Sequence, residues 1–344
     1  MSWMKARTGP LAVLGASALG GAAYRLTKPT DASDGTLNPH TFTPYTLVDK
    51  QPVSSTSAIF TLRNTSGLPD NESVKKVWRR SVWSVQIKQP QLQIARAYTP
   101  LPSTADGNKT SGNEAEDVRL LIRQEAGGEV STYLHRLPVD STIELRGPNT
   151  ELILPRDIIE VIFLAGGTGI APAMQVAQAL ARRTGSRMHI LWANRRREEC
   201  IGGISDDTRN TAVQDRVGWW RSFWGPSESI ADTPLTDSSD GTSKGIIVKE
   251  LDALKQRSLP TKGGLDVNYY VDEEHTFIQP SEIERRITRK REETGSRLII
   301  VSGPEGFLEY WAGKKLWADG REVQGPLRGQ LGRMNLGEWK VIKL

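Results

Sequence analysis

A nearly continuous apolar run, Ile158 to Ala165, broken by Glu160 alone, ends on Gly166-Gly167-Thr168-Gly169 and continues as Ile170-Ala171-Pro172. This passage constrains the fold more than any other. A run that is apolar at successive positions suits a strand covered on both faces, as in a parallel sheet. The glycines allow a tight turn. Pro172 fits the first turn of a following helix, where its missing N–H costs little. The pattern predicts a helix from Pro172 to Arg183, with Arg182 and Arg183 at its negative end and Gly185 as its cap. Further strands are predicted at Met188 to Ala193, Val267 to Val271 and Arg297 to Val301. Strand and helix alternate, which implies a parallel sheet with helices on its faces.

In open α/β sheets, ligands settle outside the carboxyl ends of the strands, where a helix N-terminus attracts an anion. Gly166, Gly167, Thr168, Gly169 and Pro172 are therefore candidate cofactor residues. A tight turn alone also explains the glycines. Ser302-Gly303-Pro304-Glu305-Gly306-Phe307 follows the last predicted strand. It is expected beside the first glycine turn at the same sheet edge. Taken alone, it reads equally as a plain Gly-Pro turn.

Before Pro155 the grammar is different. Short β-like runs occur at Ala58 to Arg63, Ser81 to Lys88, Val118 to Arg123 and Thr142 to Leu145, with polar loops between them. That spacing suggests an antiparallel β-barrel. Arg96-Ala97-Tyr98-Thr99-Pro100 closes a strand-like segment. An arginine offers a fixed fork of donors to a diphosphate. A tyrosine gives a flat face, and a threonine hydroxyl can bond a ring nitrogen. Such a tetrad is common by chance, and Tyr98 also suits a core. Gly127-Gly128-Glu129-Val130-Ser131 lets backbone approach a phosphate, with Ser131 as the cap of a helix whose N-terminus attracts an anion. An ordinary capped helix explains this segment equally well.

Composition removes several classes. There is a single cysteine, Cys200, and four histidines, none at metal-ligand spacing, so no metal centre is expected. Redox chemistry would then come from a bound organic cofactor. The net charge of +5 comes with no nucleic-acid recognition motif. The first 30 residues hold Lys5, Arg7, Arg25 and Lys28 and no acid. Basic, acid-free N-termini resemble mitochondrial targeting segments, and a secretory signal has the same order of features. The apolar stretch Leu11 to Tyr24 falls short of the ~20 residues of a straight membrane helix, although basic flanks that snorkel can extend it. Residues 29–41 read as a linker. Residues 204–245 form a long polar insert carrying Trp219, Trp220, Phe223 and Trp224. That cluster can dock on a membrane or partner, or fold back on its own domain.

Together and in this order, the four motifs resemble the ferredoxin–NADP reductase superfamily, above all its cytochrome b5 reductase branch. The resemblance covers residues 43–344. It implies a division into a targeting or anchor segment with linker (1–42), an FAD-binding β-barrel domain (43–154) and an NAD(P)-binding α/β domain (155–344). It implies that Arg96, Gly128, Val130 and Ser131 hold the FAD diphosphate, and that Tyr98 and Thr99 face the flavin. Thr168 would lie between flavin and nicotinamide, with Gly166, Gly167, Gly169, Pro172, Gly303 and Pro304 shaping the nucleotide cleft. An acid near Glu199 resembles the branch's NADH-selecting position. Arg195, Arg196 and Arg197 could instead hold the 2′-phosphate of NADPH. Ser302 stands where the family usually has cysteine.

The resemblance implies an FAD oxidoreductase that draws on NADH or NADPH and delivers electrons to haem or a haem protein. The N-terminal address, Ser302 and the insert together resemble the fungal mitochondrial FAD proteins of cytochrome c haem attachment. They imply apocytochrome c or cytochrome c as partner and association with the mitochondrial inner membrane. An NADH-cytochrome b5 reductase and a non-catalytic, flavin-bound assembly factor are the alternatives.

Overall fold

The computed structural model describes residues 35–344 except 69–73, 75–76, 78, 104–116, 208–243, 259–263, 290–292 and 319. The N-terminal address and the Trp219–Trp224 cluster lie outside the described residues.

Six antiparallel strands form the first half. They are β1 (Thr43–Pro52), β2 (Ser57–Asn64), β3 (Ser81–Gln89), β4 (Ile94–Tyr98), β5 (Val118–Arg123) and β6 (Thr142–Ile153), in the order β4-β3-β6-β1-β2-β5. The sheet curls until its edges meet. Just beyond β4, Pro100 bridges Leu120 of β5, and the Leu101 N–H donates to the Arg119 carbonyl at 2.7 Å. The expected barrel is thus an open sheet closed at one corner. Tyr45, Leu47, Phe60, Val85, Leu120 and Leu145 fill its interior and are essentially inaccessible. Helix α1 (Glu129–Arg136) packs across β3 and β4.

The second half is a five-stranded, all-parallel sheet. Its strands are β7 (Ile158–Gly166), β8 (Arg187–Asn194), β9 (Gly264–Val271), β10 (Ser296–Ser302) and β13 (Trp339–Lys343), in the order β13-β10-β7-β8-β9. The small hairpin of β11 (Leu316–Ala318) and β12 (Arg321–Val323) stands apart. The apolar run that opened the sequence is the central strand, and Val161 to Ala165 are buried throughout. Helices α2 (Ile170–Leu180) and α3 (Ile246–Ser258) share a hydrophobic cluster with one sheet face. Helices α4 (Pro280–Ile287) and α5 (Glu305–Ala312) cover the other face. The chain leaves β7 for β8 on one side and later returns to β10 on the other. The strand order therefore reverses between β7 and β10, and the crevice at their carboxyl ends is the switch point where such sheets bind ligands.

Three helix ends differ from expectation. Helix α2 begins at Ile170, with Gly169 as its N-cap, and ends at Leu180. Pro172 is its third residue, still within the first turn, where intrahelical donors are not required. Arg182, Arg183 and Gly185 lie past the helix, and Ala181 is the C-cap. Ser131 is not the cap of α1. Gly128 holds that position, and the Ser131 hydroxyl turns back within the first turn to donate to the Gly128 carbonyl and accept from the Glu125 N–H, both at 3.1 Å.

Candidate functional site

The loop before α1 and the end of β4 form one wall. Gly127 adopts φ +76°, a left-handed conformation that glycine tolerates best. A Cβ on Gly128 would lie 2.6 Å from the Ser131 hydroxyl, so the helix entrance admits no side chain there. Beside it runs a groove of about 480 Å³ lined by Gln89, Gln91, Gly127, Gly128, Thr132 and Tyr133, among others. Arg96 lies on the neighbouring strand and is exposed. Its guanidinium reaches only its neighbour's carbonyl, Ala95 O at 3.3 Å, and it pairs with no carboxylate among the described residues. Tyr98 lies opposite Val85 in the sheet and packs against the barrel core. Burial pushes its hydroxyl up to about 12, with Arg96 pulling it down and Glu125 adding to the rise. Helix α1 packs against β4, which sets the loop that enters it beside that strand. The first two motifs are thus brought to one place. Val130 is buried beneath them.

The other wall is the switch point. Gly167-Thr168-Gly169 makes a single 3-10 turn into α2, with Gly167 at φ +53°. The last residue of β10, Ser302, pairs with Ala165 of β7, so the two glycine turns emerge side by side. Their contact is tight. A Cβ on Gly169 would sit 2.3 Å from the Ser302 carbonyl oxygen, and one on Gly303 would sit 3.0 Å from Gly166 Cα. Phe307 of α5 lies across both, 2.9 Å from a Cβ on Gly166. The third and fourth motifs therefore share one sheet edge, as the sequence implied. Trp192 fixes the turn from below, its indole N–H donating to the Gly167 carbonyl at 2.9 Å.

A residue that sequence reasoning passed over joins the walls. Arg123 ends β5, and its guanidinium lies 3.8 Å from the Cβ position of Gly167. It also pairs with Glu199, in the turn Arg197–Cys200 after β8. Burial holds the Glu199 carboxyl above its ordinary range, against the downward pull of Arg123. Glu199, beside the position that resembles a nucleotide-selecting acid, is buried and engaged across the domain boundary. Glu198 is engaged as well, by the backbone N–H of Ser55 at 3.0 Å and by the Ser55 hydroxyl. Arg197 pairs with Glu274, whereas Arg195 and Arg196 are exposed. Cys200 is buried, and burial pushes its thiol up to about 11, so it supplies no reactive thiolate.

A second network lies toward the opposite end of the sheet. His189 of β8 stands between Glu160 at 3.5 Å and Asp266 at 3.1 Å, with Arg286 at 2.9 Å. Arg286 also pairs with Asp207 and Glu282. The Arg286 side chain is only 11% exposed.

These two walls match known families. Residues 44–153 match the oxidoreductase FAD-binding domain family, and residues 163–220 match the oxidoreductase NAD-binding domain family. The chain thus carries an FAD-binding and an NAD-binding oxidoreductase domain in a ferredoxin reductase-like fold. Among its relatives, an uncharacterised FAD-binding protein of Schizosaccharomyces pombe is 30% identical over 145 residues, 42% of this chain and 49% of that one. The NADH-cytochrome b5 reductase 1 of Aspergillus terreus is 29% identical over 192 residues, 52% of this chain and 59% of that one. The matches thus span between half and three-fifths of these relatives. The cytochrome b5 reductase domain of Ulva prolifera nitrate reductase superposes with a TM-score of 0.50 at 18% identity, over 80% of this chain and 91% of that domain. A full-length CYP116B46 from Tepidiphilus thermophilus gives 0.52 at 14% identity, over 87% of this chain and 28% of that one. Both show the shared fold.

The residues present fit an FAD and a nicotinamide nucleotide. An exposed arginine with no carboxylate partner and a glycine-lined helix entrance meet the needs of a diphosphate. Two glycine turns too close for any Cβ meet those of a nucleotide lying flat on the sheet edge.

Proposed function

We propose that this chain is an NAD(P)H-dependent FAD oxidoreductase of the cytochrome b5 reductase type that delivers electrons to a haem-protein acceptor. The observation that carries the reading is the apposition of Gly166-Gly167-Thr168-Gly169 and Ser302-Gly303-Pro304 at the switch point, joined by Arg123 to the wall that holds Arg96 and Tyr98. A bound flavin would supply hydride acceptance from a nicotinamide and one-electron release. Arg96 and the backbone of Gly128, Val130 and Ser131 would hold its diphosphate. Tyr98 and Thr99 would line the flavin side. Thr168 would serve the nicotinamide side, with Gly169 capping α2 behind it. Gly303 and Pro304 close the opposite side. The partly buried Phe307 and the buried Trp192 back the turns and cover this edge from behind.

The acid-free basic N-terminus and the apolar stretch Leu11 to Tyr24 support a finer reading: a protein of the mitochondrial inner membrane acting in cytochrome c haem attachment. Its partners there are haem, apocytochrome c or cytochrome c. Ser302, in place of the customary cysteine, supports slow turnover suited to a dedicated acceptor.

Anaerobic stopped-flow mixing with NADH and with NADPH tests the core of the reading. Bleaching of the flavin band is expected with at least one donor. A band unchanged after minutes with both would leave a flavin-bound assembly factor as the better account. Reoxidation by haem, apocytochrome c or cytochrome b5 then ranks the acceptors. Fractionation of organelles carrying the full chain tests the location, and recovery in the cytosol would remove it.

A further inference from the structure

The two domains meet through packing that is largely apolar. Ile59, Val82 and Leu121 of the barrel share one buried cluster with Met174 and Ala171 of α2 and Leu251 of α3. Burial of this kind is non-directional, so it stabilises contact without fixing how far one domain slides over the other. Polar contacts also cross the boundary, among them Arg123–Glu199, Arg119–Glu250 and Ser55–Glu198, but Gln175 of α2 engages the barrel backbone itself. It is 7% exposed, and its amide makes three bonds into the barrel. Its Oε1 accepts from the Trp83 N–H at 3.0 Å, and its Nε2 donates to the Trp83 carbonyl at 3.3 Å and to the Pro100 carbonyl at 2.8 Å.

The partners of this amide decide its meaning. Pro100 follows Tyr98 and Thr99 directly and makes the bridge that closes the barrel. Trp83 lies in β3, the strand that carries β4 and therefore Tyr98. At its other end, α2 starts from Gly169 and the Thr168 turn, roughly 10 Å from Gln175 at 1.5 Å per residue. One rigid helix thus links the turn that meets the nicotinamide to the segment that meets the flavin. A buried amide with donor and acceptor both satisfied accepts only one register, which a greasy contact does not enforce.

We infer that Gln175 is a positioning residue that sets the separation of the flavin and nicotinamide rings for hydride transfer. This rests on the oxidoreductase reading above. A displacement on the order of 1 Å in such a geometry costs up to about 100-fold in rate. Binding of each cofactor uses contacts within one domain and is left largely intact.

The test uses the full, FAD-loaded protein with Gln175→Met, which removes all three bonds at similar length, and Gln175→Glu. The glutamate keeps an acceptor for Trp83 but turns a carboxylate oxygen toward the two carbonyls. Flavin content and nucleotide Kd are expected to stay within about twofold and melting to stay cooperative at a lowered temperature, while single-turnover flavin reduction slows about 10- to 100-fold. The primary isotope effect with 4-deuterated nucleotide should rise, which a purely structural residue would not cause. Retention of FAD by either variant with this slowing supports the inference. Wild-type reduction rates in both variants would overturn it while leaving the oxidoreductase reading intact. Loss of FAD or of cooperative melting in both would make Gln175 a folding residue and overturn it as well. Absence of reduction in the wild type would remove the oxidoreductase reading first and this inference with it.

Discussion

Arg123 and Glu199 meet across the domain boundary with 10% and 8% of their side chains exposed. Removing one partner of such a pair strands the other charge in a poorly solvated place. Arg123→Met is expected to cost about 3–5 kcal/mol in urea unfolding. The double variant Arg123→Met/Glu199→Gln should recover most of that loss. Equal stability of the single and double variants would show that the pair is not coupled.

Arg96 pairs with no carboxylate among the described residues and bonds only its neighbour's carbonyl, so its removal should leave the fold untouched. A charged hydrogen bond is worth about 1.5–3 kcal/mol, and Arg96→Ala should weaken FAD binding about 10- to 100-fold. The flavin would be lost on gel filtration while the melting temperature of the apoprotein stays unchanged. Full retention of yellow colour would contradict the diphosphate assignment.

Gly169→Ala drives a methyl group to 2.3 Å from the Ser302 carbonyl. Backbone, not a flexible side chain, must move to admit it. Overpacking of this kind costs about 1–3 kcal/mol. The expected result is weaker nucleotide binding with FAD retained, measured by titration of the flavin spectrum. An unchanged nucleotide Kd would show that the β7 and β10 turns separate freely.

His189 sets a pH dependence. Burial pushes its imidazole down, but hydrogen bonds to Asp266 and Glu160 outweigh this, and its pKa lies above the ordinary 6.5. Arg286 and Arg187 are the cations of the cluster, and Asp266 is held below its own ordinary range by the hydrogen bond to His189. The folded state therefore holds the His189 proton more tightly than the unfolded chain. The stabilisation is fully present below pH 6.5 and is lost as pH rises through the folded value. Melting temperature should fall over that upward interval in the wild type and more gently in His189→Gln. Parallel profiles would assign the dependence elsewhere.

Strands β5 and β7 were legible because their apolar residues announce burial without help from distant partners. β1 was not. Pro44, Asp49, Lys50 and Gln51 hide it, and pairing with β2 and β6 makes it a strand. The four motifs could be read because glycine turns and helix entrances carry local signatures. Arg123 and Gln175 carry none. Their partners lie 76 and 92 residues away, and only the docking of two domains gives either one a role. Helix α4 starts at Pro280, and its Arg286 pairs with Asp207 and His189, partners that no local pattern announces.

The corner at Pro100 and Leu120 has a consequence for how the molecule can be divided. A single bridge and one flanking hydrogen bond close the barrel, and the clamp on that corner belongs to the other domain. A fragment ending near Leu154 would keep every strand of the barrel yet lose what holds β4 against β5. Two ladder edges would then face solvent, ready to recruit strands from other copies. The flavin half is therefore a poor unit for separate expression or for transplantation into a chimera, and boundaries drawn from sequence families cut through a joint that works only whole.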